Sequence, residues 1–279
     1  MTATDRLAAA LARGPVLLDA GMGTRLIARG VDLARDDPAA WALDHPDDVL
    51  GLHDRDVAAG ADAVATDTFG ANRAWLARFG LADRAIAINR RAVGLARLAV
   101  GPGGIVLGSI GPTASDDPGA LREQADTLIE SGVDALLLET HRLDQADRAL
   151  TLLSPGPVPI LASLHDWPGP VADAARRLVD LGAAAIGANC LAGMAPALAL
   201  ARKLQGARDV PLLMKPAAGP PGSPPESPET FAAAVPELLA LGVRLIGGCC
   251  GTTEAHVSAM RSALSAATRP PGRQGSPFR

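Results

Sequence analysis

The feature that most limits how this chain can fold is an eightfold alternation. Apolar runs at residues 15–20, 61–69, 104–110, 133–139, 158–164, 184–190, 210–216 and 244–250 each end in small or polar residues, and most precede a segment of helical periodicity. Short apolar runs separated by amphipathic helices specify parallel strands, since parallel neighbours need a crossover and a helix is the usual one. Eight such units without a Gly-x-Gly-x-x-Gly opening favour a single closed α/β barrel, the (β/α)8 TIM barrel, over a doubly wound open sheet. A length of 279 residues suits one such domain, with residues 1–267 assigned to the barrel. Residues 268–279, rich in Pro, Gly and Arg, are expected to be a disordered tail.

Helices are expected at 47–59, 85–100, 121–130, 144–153, 172–181, 195–204, 230–241 and 254–264. Gly132, Gly182, Gly206 and Gly242 fall where helices would end in a left-handed cap. Residues 21–45 read as a long loop after the first strand, and the proline-rich stretch 216–228 as a rim or lid after the seventh.

In a TIM barrel the C-terminal ends of the strands share one face, where the site is built. The last run closes in Gly247-Gly248-Cys249-Cys250-Gly251, and the third cysteine, Cys190, closes the run 184–190. Side chains alternate along a strand, so adjacent cysteines reach one point only where the backbone turns, which the glycines permit. Three convergent thiolates make an incomplete tetrahedral zinc site with its fourth position open, the arrangement of a catalytic zinc. The plain alternatives are buried core cysteines or a vicinal disulfide, which would leave Cys190 unexplained.

Other strand ends offer Asp19, Asp67 and Glu139, and Asp19 leads into Gly21-Met22-Gly23-Thr24, a glycine-rich turn whose N–H groups suit a carboxylate. Acids placed there either receive a cationic group or brace metal ligands; capping for Asp19 and arginine pairing for Glu139 are the structural alternatives. His141 and His165 are placed to approach the cavity, whereas His45, His53 and His256 are expected to be solvated or capping.

Composition narrows the partners. Lys plus Arg (26) against Asp plus Glu (30) gives a net charge of −4, and with 3% aromatic residues this argues against nucleic acid. No uncharged apolar stretch is long enough to span a bilayer. An odd count of three cysteines without a signal peptide points to a reducing cytoplasm.

The segments Asp19-Ala20-Gly21-Met22-Gly23-Thr24, Thr66-Asp67-Thr68-Phe69-Gly70-Ala71-Asn72-Arg73, Gly108-Ser109-Ile110-Gly111-Pro112-Thr113, Leu136-Leu137-Leu138-Glu139-Thr140, Asn189-Cys190 and Gly247-Gly248-Cys249-Cys250-Gly251-Thr252 together resemble the homocysteine S-methyltransferase family, over about residues 14–265. The resemblance implies a zinc-dependent barrel that transfers a methyl group to a small thiol, L-homocysteine, with Cys190, Cys249 and Cys250 as the metal ligands. It implies that Gly21, Met22, Gly23 and Thr24 receive the amino acid's carboxylate, while Asp19 and Glu139 receive its ammonium group. The segment around Asp67 looks most like the homocysteine-binding domain of cobalamin-dependent methionine synthase. This implies a methylcobalamin donor carried on a separate corrinoid protein; a sulfonium donor such as S-methylmethionine, another thiol acceptor, and a non-catalytic thiol-binding barrel are the alternatives. Asp67 stands where the family usually has asparagine, and so does Ala217 in Lys215-Pro216-Ala217-Ala218-Gly219. Both departures bear on which thiol is bound, because polar groups in a pocket discriminate strongly between substrates.

Overall fold

The computed structural model describes residues 3–113, 117–207, 209–219 and 224–268. Eight parallel strands, β1 (Val16–Leu17), β2 (Ala63–Ala65), β3 (Ile105–Ile110), β4 (Ala135–His141), β5 (Ile160–Leu164), β6 (Ala183–Ala192), β7 (Leu212–Ala217) and β8 (Val243–Ile246), form one sheet in the order β1-β8-β7-β6-β5-β4-β3-β2. A parallel bridge between Leu18 and Ala63 joins its two edges and closes the barrel.

Period-two alternation sets the two cores. Val16, Leu18, Ile105, Leu137, Leu213 and Leu245 belong to the cluster inside the barrel, whereas Leu17, Val106, Leu136, Ile186, Met214 and Ile246 pack outward against the helices. A helix not foreseen from the sequence, Ala3–Arg13, adds Leu7 and Ala10 to the inner cluster. Arg6 holds it there, pairing at 2.6 Å with buried Asp134, which also takes Arg97 at 2.6 Å and the Val106 N–H.

Several boundaries differ from expectation for local reasons. β1 and β2 are shorter than the runs that suggested them, because Asp19 and Asp67 lie in backbone already leaving the ladder. β8 stops at Ile246, so Cys249 and Cys250 lie in the following turn, while β6 continues past Cys190. The 21–45 connection, expected to be loop, contains a helix at Met22–Ile27, a single turn at Pro38–Ala40 and a short helix at Trp41–Asp44. The helix Ala85–Val100 matches its periodicity, but Pro118–Glu130 and Pro228–Ala240 begin earlier than expected. In each of these two a proline sits in the first turn and an acceptor caps the start, Asp117 for one and Ser227 for the other. Residues 220–223 of the proline-rich stretch and 269–279 of the tail lie outside the described residues. Among the described residues, no helix is long and apolar enough to cross a membrane.

His53 corrects a further expectation: it is neither solvated nor capping but fully buried, with no partner for either ring nitrogen. Burial, and then the charge of Arg25, lowers its pKa to about 3. The unfolded chain binds a proton at this residue below about pH 6.5 that the folded chain refuses. This group therefore leaves stability unchanged above pH 6.5 and costs stability as pH falls toward 3. His53→Leu is expected to be at least as stable as wild type at pH 7.5, with an advantage widening by about 1.4 kcal/mol per pH unit between pH 6 and 4. Urea unfolding across that range checks this, and parallel pH profiles for the two proteins would refute it.

Candidate active site

Three backbone hydrogen bonds place the cysteine turn. Gly248 N–H donates to the Asp19 carbonyl at 2.9 Å, Cys249 N–H to Pro216 at 2.8 Å, and Ala218 N–H to Cys250 at 2.8 Å, so the turn is strapped between the ends of β1 and β7. The approach needs a glycine at position 21: a Cβ there would sit 2.3 Å from the Cys249 carbonyl oxygen. From β6, Cys190 meets this turn with φ at +55°, a left-handed conformation that is uncommon without glycine and collects at functional sites. Cys190 Sγ lies 2.7 Å from Cys249 Sγ and 3.6 Å from Cys250 Sγ, and all three sulfurs lie within 4.8 Å of one another without a disulfide.

Asn189 braces the cluster. Its Oδ1 accepts from Thr140 N–H and Ser163 Oγ, both at 2.8 Å, while Nδ2 donates to Thr140 Oγ1 at 2.7 Å and lies 3.8 Å from Cys249 Sγ. Thr140 is the other non-glycine residue with positive φ among the described residues, at +61°. The three thiols compete for protons: hydrogen bonds with Cys249 and Cys250 raise the pKa of Cys190, and those with Cys190 and Cys249 lower that of Cys250. Three thiolates this close repel one another unless a cation lies among them. Soft sulfur donors in this number suit zinc.

The cysteines open onto a cavity of about 280 Å³. It is lined by Asp19, Gly21, Met22, Gly23, Thr24, Asp67 and Glu139, as well as Cys190, Cys249 and Cys250. The first four residues after Ala20 form the start of the Met22–Ile27 helix rather than a free turn. The Gly21 N–H is already given to Thr252 Oγ1 at 3.0 Å, leaving the first-turn N–H groups of Met22, Gly23 and Thr24 without intrahelical acceptors. His141 is buried beside a different groove, with Nδ1 3.0 Å from the Glu139 carbonyl. His165 and Trp167 turn to backbone carbonyls, of Thr140 and Gly187, and none of the three lines the cavity. Ala217 is buried outside the lining, whereas Asp67 is part of it.

Sequence reasoning passed over two lining residues of consequence. Lys215, 4% exposed, places Nζ 3.0 Å from Glu139 Oε1 and 3.4 Å from Asp19 Oδ1. Desolvation would lower its pKa, but Glu139 and then Asp19 overcome this and hold it above the ordinary lysine value. Its signal was present: a lone lysine inside an apolar strand must have acidic partners. Asp37, in the presumed loop, accepts from Ala39 N–H at 2.9 Å and from Trp75 Nε1 at 2.7 Å. Burial raises the pKa of Asp19, of Asp37 and, most strongly, of Asp67, to whose rise Asp37 also contributes.

A family model described as homocysteine S-methyltransferase matches residues 16–264, the whole barrel from β1 to the last helix. The chain belongs to the homocysteine S-methyltransferase family. Members of this family are methyltransferase enzymes. Methionine synthase of Mycobacterium tuberculosis is 30% identical over 97% of this chain, and homocysteine S-methyltransferase of Escherichia coli is 28% identical over 88% of this chain and 94% of its own length. The chain spans 27% of the M. tuberculosis methionine synthase and 21% of the Mycobacterium leprae one. Among solved structures, the oxidized form of the E. coli homocysteine methyltransferase MmuM superposes with a TM-score of 0.80 at 27% identity, covering 92% of this chain and 99% of that one. The metallated form of the same enzyme gives 0.79 at 26% identity with the same coverage. The homocysteine S-methyltransferase fold thus accounts for the barrel, and in this chain Cys190, Cys249 and Cys250 form a cluster that could hold a metal ion.

Proposed function

We propose that this chain is a zinc-dependent S-methyltransferase acting on a small amino-acid thiol, L-homocysteine, with a methylcorrinoid carried on a separate protein as donor. The observation that carries it is the convergence of Cys190, Cys249 and Cys250 on one wall of a cavity that also presents buried carboxylates and free helix N–H groups. Those elements match the three polar parts of homocysteine: thiol, ammonium and carboxylate.

Cys190, Cys249 and Cys250 would hold the zinc, with Asn189 fixing the position of Cys249 through its Nδ2. When bound, zinc lowers the pKa of a coordinated thiol, so that a group with an ordinary pKa near ~8.5 is available as thiolate at neutral pH. The hydrogen bond with Cys190 lowers the pKa of Cys249, but that with Cys250 and burial raise it overall, and the positive charge of Lys215 opposes part of that rise. In this reading the N–H groups of Met22, Gly23 and Thr24 would take the acceptor's carboxylate, and the cavity's carboxylates its ammonium group. Cys250 is the exposed member of the cluster, so a bulky donor can reach the sulfur from solvent. The similarity to methionine synthase over 97% of this chain supports methionine as the product, and the corrinoid donor rests on the resemblance of the segment around Asp67. Three unpaired thiols at these distances also require a reducing compartment, in keeping with the cytoplasm.

Protein purified under reducing conditions is expected to carry about one zinc per chain and to form methionine from L-homocysteine and methylcobalamin. Metal analysis and chromatographic detection of methionine check both parts. Turnover with S-methylmethionine alone would reassign the donor, and zinc retention without transfer from either donor would leave a thiol-binding barrel. A reduced sample that cannot be loaded with zinc would overturn the chemistry altogether.

A further inference from the structure

The polar links around the cysteines do not end with Asn189. Glu226, half-buried just before the Pro228–Ala240 helix, turns its polar groups to three different segments near the cluster. Its Oε2 accepts the Met194 N–H at 3.1 Å, where the Met194–Leu204 helix begins shortly after Cys190. Its own N–H donates to the Ala218 carbonyl at 2.8 Å, and the Ala218 N–H holds the Cys250 carbonyl at the same distance. Its carbonyl oxygen accepts from His256 Nε2 at 2.9 Å.

Each link has a local cause. The Met194–Leu204 helix starts from Gly193, which has no side chain to cap it, so the Glu226 carboxylate supplies an acceptor and a favourable negative charge from outside the helix. Gly193 has φ at +98°, and a Cβ there would clash with Glu226 Oε1, so glycine both turns the chain after Cys190 and seats the carboxylate. On the other side the Thr253 N–H can only donate. It makes His256 Nδ1 an acceptor at 3.1 Å and leaves the Nε2 proton for the Glu226 carbonyl. An edge contact with Phe231, ring centroids 5.0 Å apart, helps to orient the buried imidazole. Thr253 directly follows Thr252, whose Oγ1 donates to the Cys249 carbonyl at 2.6 Å. Through these contacts one residue joins the segment that carries Cys190 to the segment that carries Cys249 and Cys250.

We propose that Glu226 is a positioning residue for the metal centre, holding the Cys190 segment in register with the Cys249–Cys250 turn so that the three sulfurs are aligned before a metal arrives. The assignment rests on the cysteines being zinc ligands. Cys190 has the left-handed φ of +55°, a conformation that persists only where the surroundings enforce it, and the Glu226 carboxylate fixes the chain just beyond it. Ligand segments that are already ordered lose less freedom on binding, so groups that orient ligands raise metal affinity without touching the metal. A helix cap with no such role would stabilise the metal-free and zinc-loaded protein equally.

The test sets zinc affinity, read by competition with a chromophoric chelator under reducing conditions, beside urea unfolding of the metal-free and zinc-loaded protein. Glu226→Ala is expected to bind zinc about 10- to 100-fold more weakly than wild type, the range for groups that orient metal ligands. Its stabilisation by a fixed zinc concentration should shrink accordingly. Glu226→Gln keeps an acceptor for the Met194 N–H and is expected to stay within about threefold of wild type. Glu226→Asp keeps the charge but is one methylene shorter; it is expected to lose affinity as alanine does, and it carries the test if the alanine variant does not fold. Asp117→Ala removes a comparable cap, from the Pro118–Glu130 helix, and should lower the urea stability of both forms without changing zinc affinity. Wild-type zinc affinity in Glu226→Ala and Glu226→Asp would reduce Glu226 to a helix cap and overturn the assignment, leaving the zinc site in place. A wild type that cannot be loaded with zinc would overturn both.

Discussion

Cys249→Ser is expected to leave the barrel folded, to weaken zinc binding by about two to three orders of magnitude and to reduce methyl transfer at least as far. Cys249 Sγ lies 2.7 Å from Cys190 Sγ and within reach of Asn189 Nδ2, and a serine hydroxyl keeps those hydrogen bonds while giving up the thiolate. Structural zinc sites with four ligands are worth about 10–16 kcal/mol, so one ligand is worth roughly 3–4 kcal/mol, a loss of about 10²–10³-fold in affinity. Turnover should fall at least as far, because without the metal the acceptor is mostly thiol at neutral pH. Competition with a chromophoric chelator under reducing conditions reads the first effect, and methionine formation the second. Zinc bound to Cys249→Ser as tightly as to wild type would rule out this cysteine as a ligand.

Lys215→Met is expected to cost about 3–5 kcal/mol of stability at pH 8, the usual consequence of stripping the partner from a buried charge. The variant leaves Asp19, whose pKa burial already raises, without its nearest cation. The sign of the pH dependence follows. A carboxyl group whose folded pKa lies above its unfolded value is tolerated while protonated, so the variant's deficit should be smallest near pH 4–5 and grow as pH rises. Asp19→Asn in the Lys215→Met background should recover part of the loss at pH 8. Urea unfolding at pH 5 and pH 8 checks this, and a deficit independent of pH would show that Lys215 acts through packing of its methylene stem instead.

The barrel was legible because its signals are local and repeated. Strand runs of period two and helix runs of period 3.6 need no knowledge of distant residues, and Ala85–Val100 emerged with the bounds its periodicity gives. Left-handed caps followed the same logic: Gly132, Gly182, Gly206 and Gly242 all have φ between +71° and +98°. Where expectation and structure parted, a longer-range or more local force intervened. β1 and β2 are cut short by the polar residues that line the cavity, and prolines at the first helical turn moved helix starts earlier than apolar spacing alone suggests.

The sequence by itself determined which chemistry is available: three cysteines at the ends of apolar runs, flanked by glycine, and acids at other strand ends. Which of those groups meet, and in what state, only the tertiary structure decided. Sequence spacing places Asp19 and Glu139 on one face but is silent on Lys215, which reaches them across the barrel. It marks Asp67 as unusual but says nothing of Asp37, brought beside the same cavity by a connection that looked like loop. His53 on a helix could equally have faced water. Charge and thiol reactivity depend on distance and burial, which are set by contacts between residues far apart in the chain, so the site's electrostatics become readable only once the barrel has closed.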